Sequence, residues 1–225
     1  MVSSNPVQST VPLSEDSGRE LCLFSEPWEI CLPSEFEPYY TVTIARSEAD
    51  LKTTYAMRYE MYCKKLRSLP SEDYPDDLEI DAFDPSAVNF VSKIDGEVVG
   101  CTRLVFPMNG KFLMETGPEA FTLPDWVSRS VTCESSRLIG KRACFTDGKK
   151  IRQSHFLLKS ACLWSLANGY RYWLVAAQYD FYKVQVAKGW PFIVLGPPKQ
   201  YHNGIYIPVM HGLKELMNRV FSVDP

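Results

Sequence analysis

An α/β domain built on one mixed sheet flanked by helices is the fold class this sequence predicts, and three observations carry it. Strand-like and helix-like stretches follow one another as strand, helix, three strands, helix, strand, helix, paired strands. An Asp95-Gly96 dipeptide joins two apolar runs, the arrangement a type I′ hairpin turn favours. No internal repeat or low-complexity tract occurs beyond the amino-terminal tail, which leaves a single sheet as the economical architecture.

The elements follow in order. Residues 1 to about 19 are rich in Ser, Pro, Asn and Gln and cannot repay the entropy of ordering, so a tail is predicted there. From Glu20 to Tyr40, apolar residues broken by Pro27 and Pro33 suggest an irregular arm. Residues 1–40 are therefore set apart from one domain over 41–225. The domain opens on a short strand at Tyr40 to Ala45. Ser47 then caps a helix in which Leu51, Tyr55, Arg58 and Tyr62 recur along one face, with Asp50 placed to complement the dipole. Arg67 to Phe83 is acidic and Pro-broken and reads as a long loop. The hairpin strands are Ala87–Ile94 and Glu97–Phe106, and another strand spans Val131–Ile139. Gln153 to Asn168 is apolar nearly all round, as a helix inside the fold should be, and Asn168-Gly169 closes it. A strand at Tyr172–Ala177 precedes a short helix with Asp180 as its candidate cap and Gly189 as its end. Strands near Phe192–Leu195 and Ile205–Met210 follow, then a last helix with Leu213, Leu216, Met217 and Val220 on one side.

Composition narrows the function classes. A chain of 225 residues, 45% hydrophobic and 13% aromatic, has ample apolar surface for a core. A net charge of −3 and a pI near 5.7 exclude the basic excess of a general nucleic-acid binder. The seven cysteines are odd in number, show no C-x-x-C spacing and fit reduced thiols in the cytoplasm. No run of about 18 apolar residues offers a membrane span. His155, His202 and His211 lie far apart with no metal-ligand spacing, so no metal site is predicted.

Charges fall where core residues belong. Glu79, Asp81 and Asp84 form one short run, and Glu134-Ser135-Ser136-Arg137 a second. Arg103 interrupts the apolar strand Val98–Phe106, and Arg58 shares the helix face of Leu51. An isolated buried ion is strongly unfavourable, so these residues are expected to meet in one polar cluster.

Four motifs carry a resemblance. In order and spacing, Arg58-Tyr59-Glu60-Met61-Tyr62, Glu79-x-Asp81-x-x-Asp84, Gly100-Cys101-Thr102-Arg103-Leu104 and Glu134-Ser135-Ser136-Arg137 resemble the signature of acyl-homoserine-lactone synthases. Arg58 to Cys63 is still closer to the related N-acyl amino acid synthases and to exosortase-associated acyltransferases. The match runs from about residue 44 to 140 and continues more loosely to about 210. It implies a GNAT-like acyltransferase fold with a mostly antiparallel twisted sheet. It also implies transfer of a fatty acyl group from the phosphopantetheine thioester of acyl carrier protein to a small amine, with no bound cofactor. Arg58, Tyr62, Asp81, Asp84, Arg103, Glu134 and Arg137 match positions that build the acceptor pocket. Two departures matter. Arg67 to Leu69 holds no Trp where the lactone makers carry one, which favours a free amino acid over S-adenosylmethionine as acceptor. Only Arg137-Leu138-Ile139-Gly140 partly resembles the pyrophosphate loop of coenzyme A-dependent relatives, which favours a carrier-protein donor.

Aminolysis of a thioester needs a deprotonated amine and a stabilised oxyanion. Glu134, desolvated on a strand, is the expected base. Strict alternation puts Glu134 and Arg137 on opposite faces, so both reach one cluster only across a bulge, which would also free a backbone N–H for the oxyanion. Three guanidiniums against four carboxylates leave room for a zwitterion. Arg58 or Arg103 is expected to hold its carboxylate while Asp81 or Asp84 turns its ammonium toward Glu134. The alternatives are a salt-bridge network that merely fixes the loop, or a non-catalytic ligand-binding module. Lys141, Arg142, Lys149, Lys150 and Arg152 are candidates for docking an acidic carrier protein. Trp164, Trp173 and Tyr179 are expected in the core, with an acyl tunnel as their other possible setting.

Overall fold

The computed structural model describes residues 40–140, 144–146, 149–151, 153–201 and 203–221, with the backbone alone given at 144–146, 149–151 and 153. The predicted tail and arm (1–39), Lys141, Arg142, Arg152 and His202 lie outside the described residues, and Lys149 and Lys150 are described by backbone only.

One twisted sheet organises the rest. Its strands are β1 (Tyr40–Ile44), β2 (Val88–Ile94), β3 (Glu97–Val105), β4 (Thr132–Gly140), β7 (Tyr172–Gln178), β8 (Ile193–Val194), β9 (Lys199–Tyr201) and β10 (Gly204–Gly212). The spatial order is β1-β2-β3-β4-β7-β10-β8, with β9 added beside β10. Every pairing is antiparallel except β4 with β7. A separate hairpin, β5 (Cys144–Thr146) and β6 (Lys149–Ile151), leads into α2 (Gln153–Ala167).

Side-chain parity assigns the two faces. Val91, Cys101 and Ile139 pack under α1 (Glu48–Tyr59), whose amino terminus is capped by Ser47 accepting from the Asp50 N–H at 3.1 Å. Phe90, Leu104, Cys133 and Trp173 face the other way, against Phe156, Leu157, Ala161 and Cys162 of α2. Over α2 lies α4 (Leu213–Leu216) with its continuation Met217–Phe221, so α2 sits between sheet and carboxyl terminus. This position explains its apolar composition. Gly169, at φ 84, closes α2 in the left-handed region that glycine favours. The hairpin turn is as read: Asp95 and Gly96 both have positive φ, as type I′ requires.

Two local features differ from the sequence reading. α1 does not run on as α-helix; Glu60–Lys65 widens into a π-helical turn that carries Tyr62. Gln178, not Asp180, precedes the first turn of α3 (Tyr179–Ala187), and Asp180 pairs with Lys183 at 2.8 Å. Among the described residues no helix is long and apolar enough to cross a membrane.

Candidate active site

The acidic loop is fastened to α1 and the sheet by three arginines. Arg58, in the last turn of α1, is fully buried; its Nε donates to Glu79 at 2.5 Å and its two Nη atoms to Asp84 at 2.7 and 2.9 Å. Arg103 on β3, also fully buried, donates to both oxygens of Asp81 at 2.9 and 2.8 Å and to Asp84 at 2.8 Å. Arg137 on β4 donates twice to Glu79 at 3.0 Å and lies 5.0 Å over the Tyr62 ring. The loop satisfies its own backbone on the same carboxylates. The Asp81 N–H donates to Asp84 at 2.8 Å, and the Phe83 N–H to Asp81 at 2.9 Å. Burial works to raise the Glu79 carboxyl, but Arg137 and Arg58 override it and hold it at about 2. Asp84 is lowered in the same way, against its burial, by Arg58 and Arg103.

Glu134 stands apart from this balanced set of three cations and three anions. It is 2% exposed, and among the described residues it makes no ion pair. Its Oε2 accepts from the Met114 N–H at 3.0 Å. That bond and the more distant Arg103 and Arg137 favour the carboxylate, yet burial prevails and lifts its pKa to about 7. A group poised there can take a proton from an ammonium and return it, as a general base must.

A bulge brings the two charged positions of β4 to one place. Cys101 pairs with Ile139 and Arg103 with Ser136, so β4 carries one extra residue between them, and Arg137 takes φ 55. Side chains cover the bulge carbonyls: Thr102 Oγ1 donates to Ser136 O at 3.3 Å and the Cys101 thiol to Arg137 O at 3.9 Å. Beside the bulge, β4 and β7 pair only through Thr132, Cys133 and Glu134, then diverge. Between them opens a cavity of about 290 Å³ lined by Glu134, Ser135, Ser136 and Arg137 on one strand and Val175 to Gln178 on the other. Tyr62, Leu113, Tyr201 and Tyr206 stand on the Glu134 side; Leu158, Trp173, Trp190, Phe192 and His211 stand on the α2 side. The cavity thus passes through the sheet, polar at one end and apolar at the other.

The sequence-selected residues divide accordingly. Glu134, Tyr62 and Arg137 line the cavity; Arg58, Arg103, Asp81 and Asp84 do not. Arg58 and Arg103, which the sequence reading assigns to an acceptor carboxylate, are each buried and forked onto Asp84 or Asp81, and in this arrangement they tie the acidic loop to α1 and β3. Trp173 belongs both to the core and to the cavity wall, whereas Trp164 is core and Tyr179 stacks on Tyr182 at 6.1 Å. Sequence reasoning missed Tyr201, Tyr206 and the Met114 N–H. A backbone donor leaves no side-chain signal, and β9, three residues long, has too little pattern to place Tyr201. Among the described residues no cluster of His, Cys, Asp or Glu could hold a metal ion. Four cysteines (Cys63, Cys101, Cys133, Cys162) are buried free thiols.

Fold and site together define an acyltransferase of the GNAT-like α/β class. The autoinducer synthase family model matches residues 43–219, and the chain belongs to that family. It is similar to an acyl-homoserine-lactone synthase of Rhizobium radiobacter, 26% identical over 163 residues covering 70% of this chain and 76% of the relative. Its fold resembles that of the AHL synthase LasI, with a TM-score of 0.63 and 16% identity over 83% of this chain and 98% of the other. It also resembles a putative N-acetyltransferase from Lactobacillus plantarum, with a TM-score of 0.53 and 12% identity over 78% and 99%.

Proposed function

We propose that this protein is an acyl-homoserine-lactone synthase, acylating the amine of S-adenosylmethionine and closing the lactone. The observation that carries the chemistry is Glu134: a buried carboxyl with no ion pair among the described residues, poised near pH 7, at the wall of a cavity that turns apolar. Glu134 takes a proton from the acceptor ammonium. The freed amine attacks the thioester carbonyl, the tetrahedral intermediate collapses, and the thiol leaves with a proton. Closing a homoserine lactone requires a leaving group on the γ-carbon. The sulfonium supplies one: the carboxylate oxygen attacks that carbon and the C–S bond breaks to release the thioether.

The choice of S-adenosylmethionine over the amino acid that sequence alone ranked first rests on the family match and on one feature of the site. Tyr62, Tyr201 and Tyr206 line the Glu134 end and offer ring faces to a sulfonium or an adenine. N-acylation of an amino acid is the second reading, favoured by the cavity wall at Leu66, Ser68 and Leu69, which lacks the Trp of the lactone makers.

For the donor we favour the phosphopantetheine thioester of acyl carrier protein. Arg137 to Gly140 are β-strand and Arg137 is turned to Glu79, which supports a carrier-protein donor over coenzyme A. The test is product analysis by mass spectrometry with acyl-carrier-protein and acyl-CoA donors, offering S-adenosylmethionine and each of the twenty amino acids. Acyl-homoserine lactone from S-adenosylmethionine alone supports the proposal. Acyl amino acids without lactone replace it with the second reading.

A further inference from the structure

We propose that His211 is a specificity residue that accepts a hydrogen bond from a hydroxyl in the distal half of the acyl chain, so that the preferred donor is a hydroxylated fatty acyl thioester. This inference rests on the acyltransferase reading above, which makes the apolar end of the cavity the seat of the chain.

The ring is buried, 3% exposed, and packed 4.5 Å from Phe192 and 5.8 Å from Trp190, yet it lines the cavity. Its Nδ1 lies 2.9 Å from Pro191 O. A carbonyl oxygen only accepts, so Nδ1 carries the proton and the tautomer is fixed. Burial, opposed by that hydrogen bond, lowers the pKa to about 4, so the ring is neutral at pH 7 and Nε2 presents a lone pair. No group among the described residues bonds Nε2. Nε2 opens onto the cavity among Trp173, Trp190, Phe192 and Leu158, and an acyl chain that expels water from it leaves the acceptor unpaired unless the chain itself donates. A saturated chain cannot donate to it; a chain hydroxyl can.

The sheet fixes how far along the chain the hydroxyl sits. His211 pairs with Trp173, and Trp173 with Cys133, the neighbour of Glu134. Two inter-strand spacings, roughly 10 Å, separate it from β4. It also faces the α2 side, opposite Glu134. The position it reads is therefore many bonds beyond the thioester carbonyl and distinct from substituents next to it.

The test compares carrier-protein thioesters of one chain length, saturated or with a single hydroxyl moved stepwise along the distal half, with thiol release as the readout. The wild-type protein should prefer one regioisomer over the saturated chain by roughly tenfold in kcat/KM. His211→Phe should bring that ratio to about one, and His211→Gln, whose amide oxygen can still accept, should keep part of it. Thiol release from the saturated chain with no preferred regioisomer, or an unchanged ratio in His211→Phe, overturns the proposal and leaves the acyltransferase reading standing. No thiol release from any thioester overturns both. Should His211→Phe fail to fold, the wild-type ratio across the series decides alone.

Discussion

At Glu134 one carboxyl carries opposite demands. Burial raises its pKa to about 7 from an ordinary value of 4.5, so the folded state holds a proton that the unfolded chain gives up. The sign follows: below about pH 4.5 the group is neutral in both states, and between about 4.5 and 7 it increasingly opposes folding. Above 7 the penalty is constant, on the order of 3 kcal/mol. Glu134→Gln removes the titration while keeping an oxygen for the Met114 N–H. Its melting temperature relative to wild type should therefore be higher at pH 8 than at pH 4.5. A difference independent of pH would show that Glu134 titrates normally. The presence of a carboxyl on a central strand was legible in the sequence. Its separation from the arginines was not, because only the bulge and the loop geometry decide which carboxylates the guanidiniums reach.

The β3–β4 pair is the element on which the site depends, and its bulge needs close packing just beyond it. Gly100 lies opposite Gly140, where an added Cβ would come within 2.7 Å of Ser92 Oγ, 2.9 Å of the Ile139 carbonyl and 3.2 Å of Leu157. Gly100→Ala should therefore cost about 1–3 kcal/mol, read as a melting temperature lower by several degrees. An unchanged melting temperature would mean the strands separate freely there and do not hold the bulge. Strands, hairpin and both main helices were readable because alternation, Asp95-Gly96 and the Ser47 cap are local signals. The bulge could be anticipated only as a condition for Glu134 and Arg137 to meet. The π-helical turn at Glu60–Lys65 and the short strands β5, β6 and β9 carry too few residues to show a period.

Across the whole molecule, the buried charges tie stability to pH on the acid side. Glu79, held at about 2, contributes stability that is present above about pH 4.5 and lost as pH falls toward 2. Buried neutral His211, lowered to about 4 from 6.5, contributes stability that is full above about pH 6.5 and lost as pH falls through 4. Wild-type melting temperature should fall steadily below pH 4.5, where Glu134 no longer acts in the opposite sense. Glu79→Gln takes the carboxylate from Arg58 Nε and from Arg137, while Arg58 keeps Asp84, and should cost about 3 kcal/mol at pH 7, with a smaller deficit at pH 3. A Glu79→Gln protein as stable as wild type at pH 7 would show that the network does not brace the loop. The fold class was legible because it follows from element order. The through-sheet cavity was not, since it arises where β4 and β7 part, and strand divergence leaves no mark on either sequence.

Catalysis by Glu134 at that cavity is the centre of this account, and the pH dependence of turnover tests it most directly. With a carrier-protein thioester and S-adenosylmethionine, wild-type kcat should rise with pH through about 7. Glu134→Gln, folded by circular dichroism, should lose about 10²-fold or more in kcat and lose that rise. A Glu134→Gln protein that keeps both wild-type kcat and the rise near pH 7 would contradict the assignment of Glu134 as the base.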